Sequence, residues 1–209
     1  MSTAFPSLRL AGIFALALLP ALFARAQEPA QAAPEPAQTS PLSNAVVFII
    51  RHAEKPEDGD GLSPEGEKRA QFYVDYFKGL KVEGKPLQLD HLFAAADSKN
   101  SERSRLTLTP LSRALNLPLD LRFEADNAKS LAEELRAKDN GKAILICWHH
   151  GGIPDLLKKL GEKPARLLPD GEWPDDIFDW LIVLRFDAAG GVIPDRCYRI
   201  KERWGKARP

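Results

Sequence analysis

Histidine and arginine residues are concentrated in three short segments of this sequence, and each segment follows a run of apolar residues. The first segment, 51–55, opens with an Arg-His pair; the second, 97–105, carries two arginines; the third, 149–152, reads His-His-Gly-Gly. If the apolar runs are neighbouring strands of a parallel sheet, their carboxyl ends bring the three segments together. The sequence therefore predicts one strongly cationic pocket.

The residue types in these segments suit the chemistry of phosphate groups. The planar guanidinium group of an arginine can donate to two phosphate oxygens at once. A histidine beside such cations resists protonation, so its ring stays available as a nucleophile near neutral pH. The two glycines at 151–152 allow a ligand to approach the backbone, and the start of the following helix stabilises an anion. Together these features fit phosphoryl transfer through a phosphohistidine.

A metal site is the main alternative interpretation of the adjacent His149 and His150. Adjacent residues on a strand point in opposite directions and rarely bind one ion. The three segments also lack a cluster of acidic and histidine residues with the spacing of a ligand set. We therefore expect no metal and no other cofactor.

The elements that must position these segments alternate between strand and helix. Continuous apolar runs predict buried strands, and these runs cover 45–50, 91–96, 143–148 and 180–186, with an edge strand at 196–201. Helical patterns cover 64–80, 110–115, 128–138 and 154–160. We expect Thr109 to cap the second helix, because Pro110 suits a first helical position and disfavours a helix running from Arg103. Strand alternating with helix predicts an α/β fold with a mainly parallel sheet.

The first 43 residues differ in composition from the rest of the chain. The apolar run at 10–23 ends in an A-x-A sequence at 24–26, which is typical of a cleaved signal peptide and too short to span a membrane. The next stretch is rich in proline and alanine, as solvated linkers are. The expected organisation is a signal peptide at 1–26, a linker at 27–43 and one domain at 44–209, in a periplasmic or secreted protein.

The charge and cysteine content of the chain exclude some classes of partner. Lysine plus arginine and aspartate plus glutamate each number 29, so the formal net charge is zero. No cationic excess exists to neutralise a nucleic acid backbone, and we expect no nucleic acid partner. We also expect no stable membrane span after signal cleavage. Two cysteines, Cys147 and Cys197, are too few for a disulfide scaffold. An oxidising compartment leaves open whether they pair.

Four stretches of the chain resemble the motifs of the histidine phosphatase superfamily, whose fold is phosphoglycerate mutase-like. Residues 47–54 resemble its first strand and R-H-G-E motif, with Ala53 in place of the usual glycine. Residues 61–70 resemble its L-T-x-x-G-x-x-Q-A segment, and 103–118 its R-A-x-Q-T-A helix ending in L-G-L-P. Residues 144–153 resemble the strand before its second catalytic histidine. The motifs occur in the family order and cover nearly the whole domain.

The resemblance implies a three-layer α/β/α fold and a phosphatase that acts on a small or envelope-associated phosphomonoester. His52 would be the nucleophile, and three groups would surround the phosphate: Arg51, Arg103 and His150. Substrate binding would also involve Arg105, Gly151 and His149. Arg105 remains a rival of Arg103 for the role of second phosphate arginine, because Pro110 leaves the start of the helix open.

The general acid and the exact activity stay open from the sequence alone. Glu54, Glu124 and Asp126 are the candidate acids, and none of them matches a motif of the family. A phosphomutase and a non-catalytic phosphate-binding module of the same fold are the alternatives to a phosphatase. An intact set of arginines and histidines favours an enzyme. Nothing in the sequence selects a physiological substrate or an oligomeric state.

Overall fold

The apolar runs of the sequence form a six-stranded sheet with helices on both faces. The structure is a computed structural model that describes Met1, residues 42–138 and residues 142–202. The strands are β1 (Val46–Arg51), β2 (Lys81–Val82), β3 (Lys85–Pro86), β4 (His91–Ala94), β5 (Leu119–Asp120), β6 (Ala143–Trp148), β7 (Trp180–Arg185) and β8 (Tyr198–Lys201). The α-helices are α1 (Pro64–Gly79), α2 (Arg103–Leu115), α3 (Ala128–Ala137), α4 (Ile153–Leu160) and α5 (Pro164–Leu167).

The order of the strands brings the predicted segments to one edge of the sheet. The order is β5-β4-β6-β1-β7-β8, in which the first four strands are parallel, β7 runs antiparallel to β1, and β8 runs antiparallel to β7. Strand β1 pairs with β6 so that Arg51 lies opposite Trp148. His52 and His149, which follow these two residues, therefore leave adjacent strands at the same level. The predicted mainly parallel α/β sheet is confirmed.

Alternating side chains of the central strands divide the core into two halves. On one face of β1, Val47 and Ile49 pack with the buried leucines of α3 and α4. On the other face, Phe48 and Ile50 pack with residues of α1 and α2. Because apolar surface is buried on both faces, the sheet is the middle of three layers. The predicted three-layer fold is confirmed.

Helix α2 corrects one prediction from the sequence. It begins at Arg103 and continues through Pro110 to Leu115, so Thr109 is no cap. The Thr109 hydroxyl donates instead to the carbonyl oxygen of Arg105, 2.8 Å away. A proline inside a helix costs about 3 kcal/mol, but Leu108 and Leu111 on either side are both fully buried. Burial of each leucine contributes about 2 kcal/mol, which offsets the loss.

The two cysteines are free thiols in this structure. Cys147 is buried in β6, and Cys197 is half-buried just before β8. Two strands separate β6 from β8 in the sheet, which places them roughly 14 Å apart at a spacing of about 4.8 Å per strand. A disulfide needs Cα atoms within about 7 Å. The fold therefore keeps the two thiols from pairing.

The expected signal peptide lies outside the described residues, as does nearly all of the expected linker. Within the part of the chain that the structure describes, no helix is long and apolar enough to cross a membrane.

Candidate active site

His52 lies at the carboxyl end of β1, and only 4% of its surface is exposed. Its backbone N–H donates to the carbonyl oxygen of Trp148, and its ring Nδ1 lies 2.7 Å from the carbonyl oxygen of Ala53. Because a carbonyl oxygen only accepts, Nδ1 carries the proton, and the lone pair on Nε2 is available for reaction. Nε2 makes no hydrogen bond with the described residues.

The charge state of His52 follows from its surroundings. Burial lowers its pKa to about 3, and the positive charges of Arg51 and Arg103 contribute, as does His149. The hydrogen bond to Ala53 opposes this shift but is the weaker effect. The imidazole is therefore neutral at physiological pH, which is the nucleophilic form.

The turn after His52 is fixed by the first turn of α2. The backbone N–H of Ala53 donates to the Thr107 hydroxyl oxygen at 2.9 Å, and that hydroxyl donates to the Arg103 carbonyl oxygen at 2.7 Å. Ala53 is fully buried. These contacts connect the turn after His52 to the helix that begins with Arg103, so the first and second segments lie against each other.

Arg51 lies beside His52 with only 2% of its surface exposed, yet it forms no ion pair with any described carboxylate. Its Nη1 donates to three backbone carbonyl oxygens at 2.8–3.2 Å, those of Pro174, Asp175 and Ile177. The Phe178 ring stacks on the guanidinium at 3.8 Å. Burial lowers the pKa of Arg51 to about 10, so the group remains charged at neutral pH. Among the described residues, no carboxylate forms an ion pair with this positive charge.

The two histidines of the third segment lie beside His52. Their ring centroids are 5.3 Å (His149) and 6.4 Å (His150) from that of His52. Nδ1 of His150 is 3.3 Å from Nη2 of Arg51, and its Nε2 is 2.8 Å from Oδ1 of Asp175. This arrangement assigns the proton of a neutral ring to Nε2. Burial is the main cause that lowers the pKa of both histidines, and nearby arginines add to it.

The two rival arginines of the second segment have different partners. The guanidinium of Arg103 donates to the carbonyl oxygens of Gly59 (3.2 Å) and Asn100 (3.0 Å), and its buried Nε has no partner. Its charge also lowers the pKa of His52 and His149. The sequence left the choice between Arg103 and Arg105 open, and this geometry favours Arg103 for the phosphate.

Arg105 lies in ion pairs on the other side of the helix start. Its Nε is 2.6 Å from Asp97 Oδ2 and its Nη2 is 2.8 Å from Glu102 Oε2. Both carboxylates are about two-fifths exposed. The role of Arg105 in binding substrate stays a prediction, because its charge is already balanced here.

The predicted glycine segment takes the form of a short 3-10 helix, His150–Gly152, which leads into α4. A side chain at Gly152 would lie 2.7 Å from the Ala125 carbonyl oxygen, whereas Gly151 faces open space. An open cavity of about 380 Å³ adjoins this helix and His149. Gly152 is therefore needed for packing, whereas the role of Gly151 in binding substrate stays a prediction.

The three predicted candidate acids differ in their surroundings. Both oxygens of Glu54 are held by Arg69, whose Nε and Nη2 lie 2.6–3.0 Å away. Glu124 and Asp126 are exposed and form no ion pair with the described residues. Asp126 lies at the edge of the cavity beside His149. None of the three touches His52 or His150.

The segment 173–178, which supplies the carbonyl clamp on Arg51, was not predicted from the sequence. Trp173 Nε1 closes this segment by donating to the carbonyl oxygen of Ile177 at 2.7 Å. The segment directly precedes β7, which runs antiparallel to β1, so it emerges at the carboxyl end of β1. The Asp-Asp-Ile-Phe sequence before an apolar run was the available signal, but only the antiparallel direction of β7 gives it meaning.

Among the described residues, no group of three or more histidine, cysteine, aspartate or glutamate side chains could hold a metal ion.

Comparisons with known proteins place this architecture among solved folds. No protein-family model and no curated protein sequence matches the chain. It resembles the crystal structure of a phosphoglycerate mutase from Plasmodium falciparum with a TM-score of 0.52 at 14% identity, over 80% of this chain and 95% of the other. It also resembles an alpha-ribazole phosphatase from Shigella flexneri with a TM-score of 0.51 at 12% identity, over 71% and 94%.

These two matches show the fold alone. The chain has a three-layer α/β fold of the phosphoglycerate mutase type. The resemblance read from the sequence motifs is confirmed at the level of the fold.

Proposed function

We propose that this protein hydrolyses phosphomonoesters through a phosphohistidine formed on His52. The observation that carries the proposal is the state of His52 itself. Its Nδ1 is held by the Ala53 carbonyl oxygen, its Nε2 has no partner among the described residues, and its ring is neutral. Two arginines that form no ion pair with a described residue, Arg51 and Arg103, lie beside it. This is a nucleophile in a site built for an anion.

The chemistry proceeds in two displacements at phosphorus. Nε2 of His52 forms a bond to phosphorus while the ester P–O bond breaks and the alcohol leaves. The Ala53 carbonyl oxygen, which accepts from Nδ1, stabilises the positive charge that develops on the ring. Arg51, Arg103 and His150 stabilise the negative charge of the transferring group. Water then attacks phosphorus, the P–N bond breaks, and inorganic phosphate and neutral His52 are released.

A phosphatase fits the site better than a phosphomutase does. A mutase must hold a second phosphate group, which needs cations beyond those around His52. Only seven residues, 121–127, connect β5 to α3, so this connection offers no large cap over the site. A non-catalytic binding module would not need a neutral, oriented histidine beneath the anion site. The two alternatives therefore explain less of the geometry.

We further propose that the protein is exported and acts on a small or envelope-associated phosphate ester. The support is the apolar run at 10–23 followed by Ala24-Arg25-Ala26. Expression of the full chain in a bacterial host, followed by mass measurement of the product, tests this. Cleavage after Ala26 gives a chain that begins at Gln27; an intact N-terminus in the cytoplasmic fraction would contradict export.

Hydrolysis of p-nitrophenyl phosphate by the purified protein tests the activity. We expect turnover that persists in a chelator, since Arg51 and Arg103 supply the positive charge. His52→Ala should abolish it. His91→Asn is the matched control, because His91 stacks on Phe93 and pairs with Asp120 outside the site; it should retain turnover within about threefold. Equal activity of His52→Ala and the wild type would refute the proposal.

A further inference from the structure

Breaking the ester bond requires a proton for the leaving oxygen, and this requirement points to a carboxyl group at the mouth of the site. His52 is buried beneath the anion site, so in-line attack from its Nε2 drives the leaving group outward, toward solvent. A general acid must lie within hydrogen-bond reach of that outward oxygen. Glu54 is unsuited, because Arg69 holds both of its oxygens.

Asp175 is the carboxylate that the fold delivers to this position. Its side chain is 93% exposed, but its Oδ1 lies 2.8 Å from Nε2 of His150. The backbone beneath it is fixed, since its carbonyl oxygen accepts from Nη1 of Arg51 at 2.8 Å. The neighbouring Phe178 ring lies 6.4 Å from the ring of His52. An exposed carboxylate on an anchored backbone, touching a site histidine, can reach an incoming substrate without a large rearrangement.

We propose that Asp175 is the general acid and base of the reaction, a role that rests on the proposed phosphatase function. A phosphate oxygen of the substrate takes over the N–H of His150, which frees the Asp175 carboxyl group for the leaving oxygen.

The proton balance closes over the two steps. As Nε2 of His52 bonds to phosphorus and the P–O bond breaks, the Asp175 O–H proton passes to the leaving oxygen, which departs as an alcohol. The Asp175 carboxylate then accepts a proton from the water that attacks the phosphohistidine. The P–N bond breaks, inorganic phosphate leaves, and the acid is again protonated.

Leaving groups of different basicity test this role directly. The substrates are p-nitrophenyl phosphate, whose leaving group needs little help from an acid, and phenyl phosphate, whose more basic leaving group needs it. The readout is kcat/KM, which reports steps up to the first bond cleavage. Asp175→Asn should lower kcat/KM for phenyl phosphate about a hundredfold. For p-nitrophenyl phosphate the loss should be at least tenfold smaller, that is, about tenfold or less. Asp176→Asn, an exposed neighbour, is the control and should change neither by more than about threefold.

Each other outcome overturns the proposal in a recognisable way. Equal losses on both substrates would mean that Asp175 only orients His150. No loss on either would mean that the proton comes from elsewhere. If rapid-quench labelling of the wild type gave no phosphohistidine, the proposed function would fail and the proposal with it. Labelled His52 together with equal losses would remove the acid assignment alone.

Discussion

The surroundings of His52 and the network around Glu54 each contain a buried arginine, and the two arginines are held in opposite ways. Beside His52, Arg51 donates to three neutral carbonyl oxygens and pairs with no described carboxylate. In the other network, Arg69 is bound through two nitrogens to Glu54, and its Nη1 lies 3.6 Å from Glu202. Carbonyl groups orient a guanidinium without neutralising it, whereas carboxylates cancel its charge. Arg51 therefore remains able to attract an anion, and Arg69 serves the fold.

The same difference separates the two arginines at the start of α2. Arg103 is held by carbonyl oxygens, and Arg105 by carboxylates. Both carbonyl-held arginines act on the pKa of His52, and neither carboxylate-held one is among the groups that do. The type of acceptor, rather than burial, distinguishes the arginines of the site from those of the scaffold.

The largest effect is expected from replacing Arg69. Arg69→Met leaves the Glu54 carboxylate without its cation and removes a polar neighbour of the buried Glu202, which should cost about 3–5 kcal/mol of unfolding free energy. Urea denaturation measures this. Lys68→Met is the matched control: its side chain is 71% exposed, and it should cost less than about 1 kcal/mol. Equal small losses would show that the buried network does not support the fold.

Replacing Arg51 should lower the catalytic rate. Arg51→Met takes away a fixed positive charge beside the phosphate, so kcat/KM for p-nitrophenyl phosphate should fall about 10²–10³-fold. The circular dichroism spectrum checks that the fold is retained. A variant that keeps more than a tenth of wild-type activity would break the link between carbonyl-held arginines and phosphate.

The pair on α2 gives a sharper version of the same comparison. Arg103→Ala should lower kcat/KM about a hundredfold, because a charge-assisted clamp is lost. Arg105→Ala removes ion pairs with exposed partners and should cost less than about 1 kcal/mol, equivalent to less than fivefold in rate. A larger loss for Arg105→Ala than for Arg103→Ala would assign the phosphate to Arg105. It would also reject the idea that arginines held by carbonyl oxygens bind the anion.

The smallest effect is a pH dependence of stability that originates in Glu202. Burial raises its pKa to about 8, against the opposing charge of Arg69 and a hydrogen bond from Tyr73. The folded state therefore holds a proton that the unfolded state releases near pH 4.3, so this contribution falls as pH rises toward 8. His52, with its pKa lowered to about 3, has the opposite effect, but only below about pH 6.5.

The difference between the wild type and Glu202→Gln from pH 6.5 to 8 isolates the contribution of Glu202, because His52, His149 and His150 titrate alike in both proteins. Relative to the variant, the wild-type unfolding free energy should decline there by about 2 kcal/mol. Urea titrations at three pH values in this interval make the comparison. If the unfolding free energies of the wild type and the variant changed equally with pH, Glu202 would hold no proton in the folded state over this interval.

Much of the fold could be predicted because the central strands are continuous apolar runs. The run at 143–148 coincides with β6, and those at 45–50 and 180–186 differ from β1 and β7 by one residue. Helix α2 was predicted incorrectly at its start, since local rules for proline ignore the burial of Leu108 and Leu111. Tertiary packing overrode a local preference.

The site was predictable where side-chain identity carries the chemistry, and unpredictable where backbone does. His52, Arg51 and His150 were found from their types and positions after strands, and the structure brings them together. The clamp on Arg51 comes from carbonyl groups up to 126 positions away, which every residue type supplies equally. Asp175 belongs to that segment, so no sequence pattern could assign it to the site.

The most direct test of the account is to locate the phosphoryl group on the enzyme. The protein is mixed with p-nitrophenyl phosphate, quenched in alkali within milliseconds and digested, and the phosphopeptide is sequenced by mass spectrometry. Phosphorus NMR of the same material distinguishes the two ring nitrogens. The account predicts one acid-labile phosphoryl group on Nε2 of His52, absent from His52→Ala. A phosphoryl group on His149, on His150 or on an oxygen, or turnover without any phosphoenzyme, would contradict it.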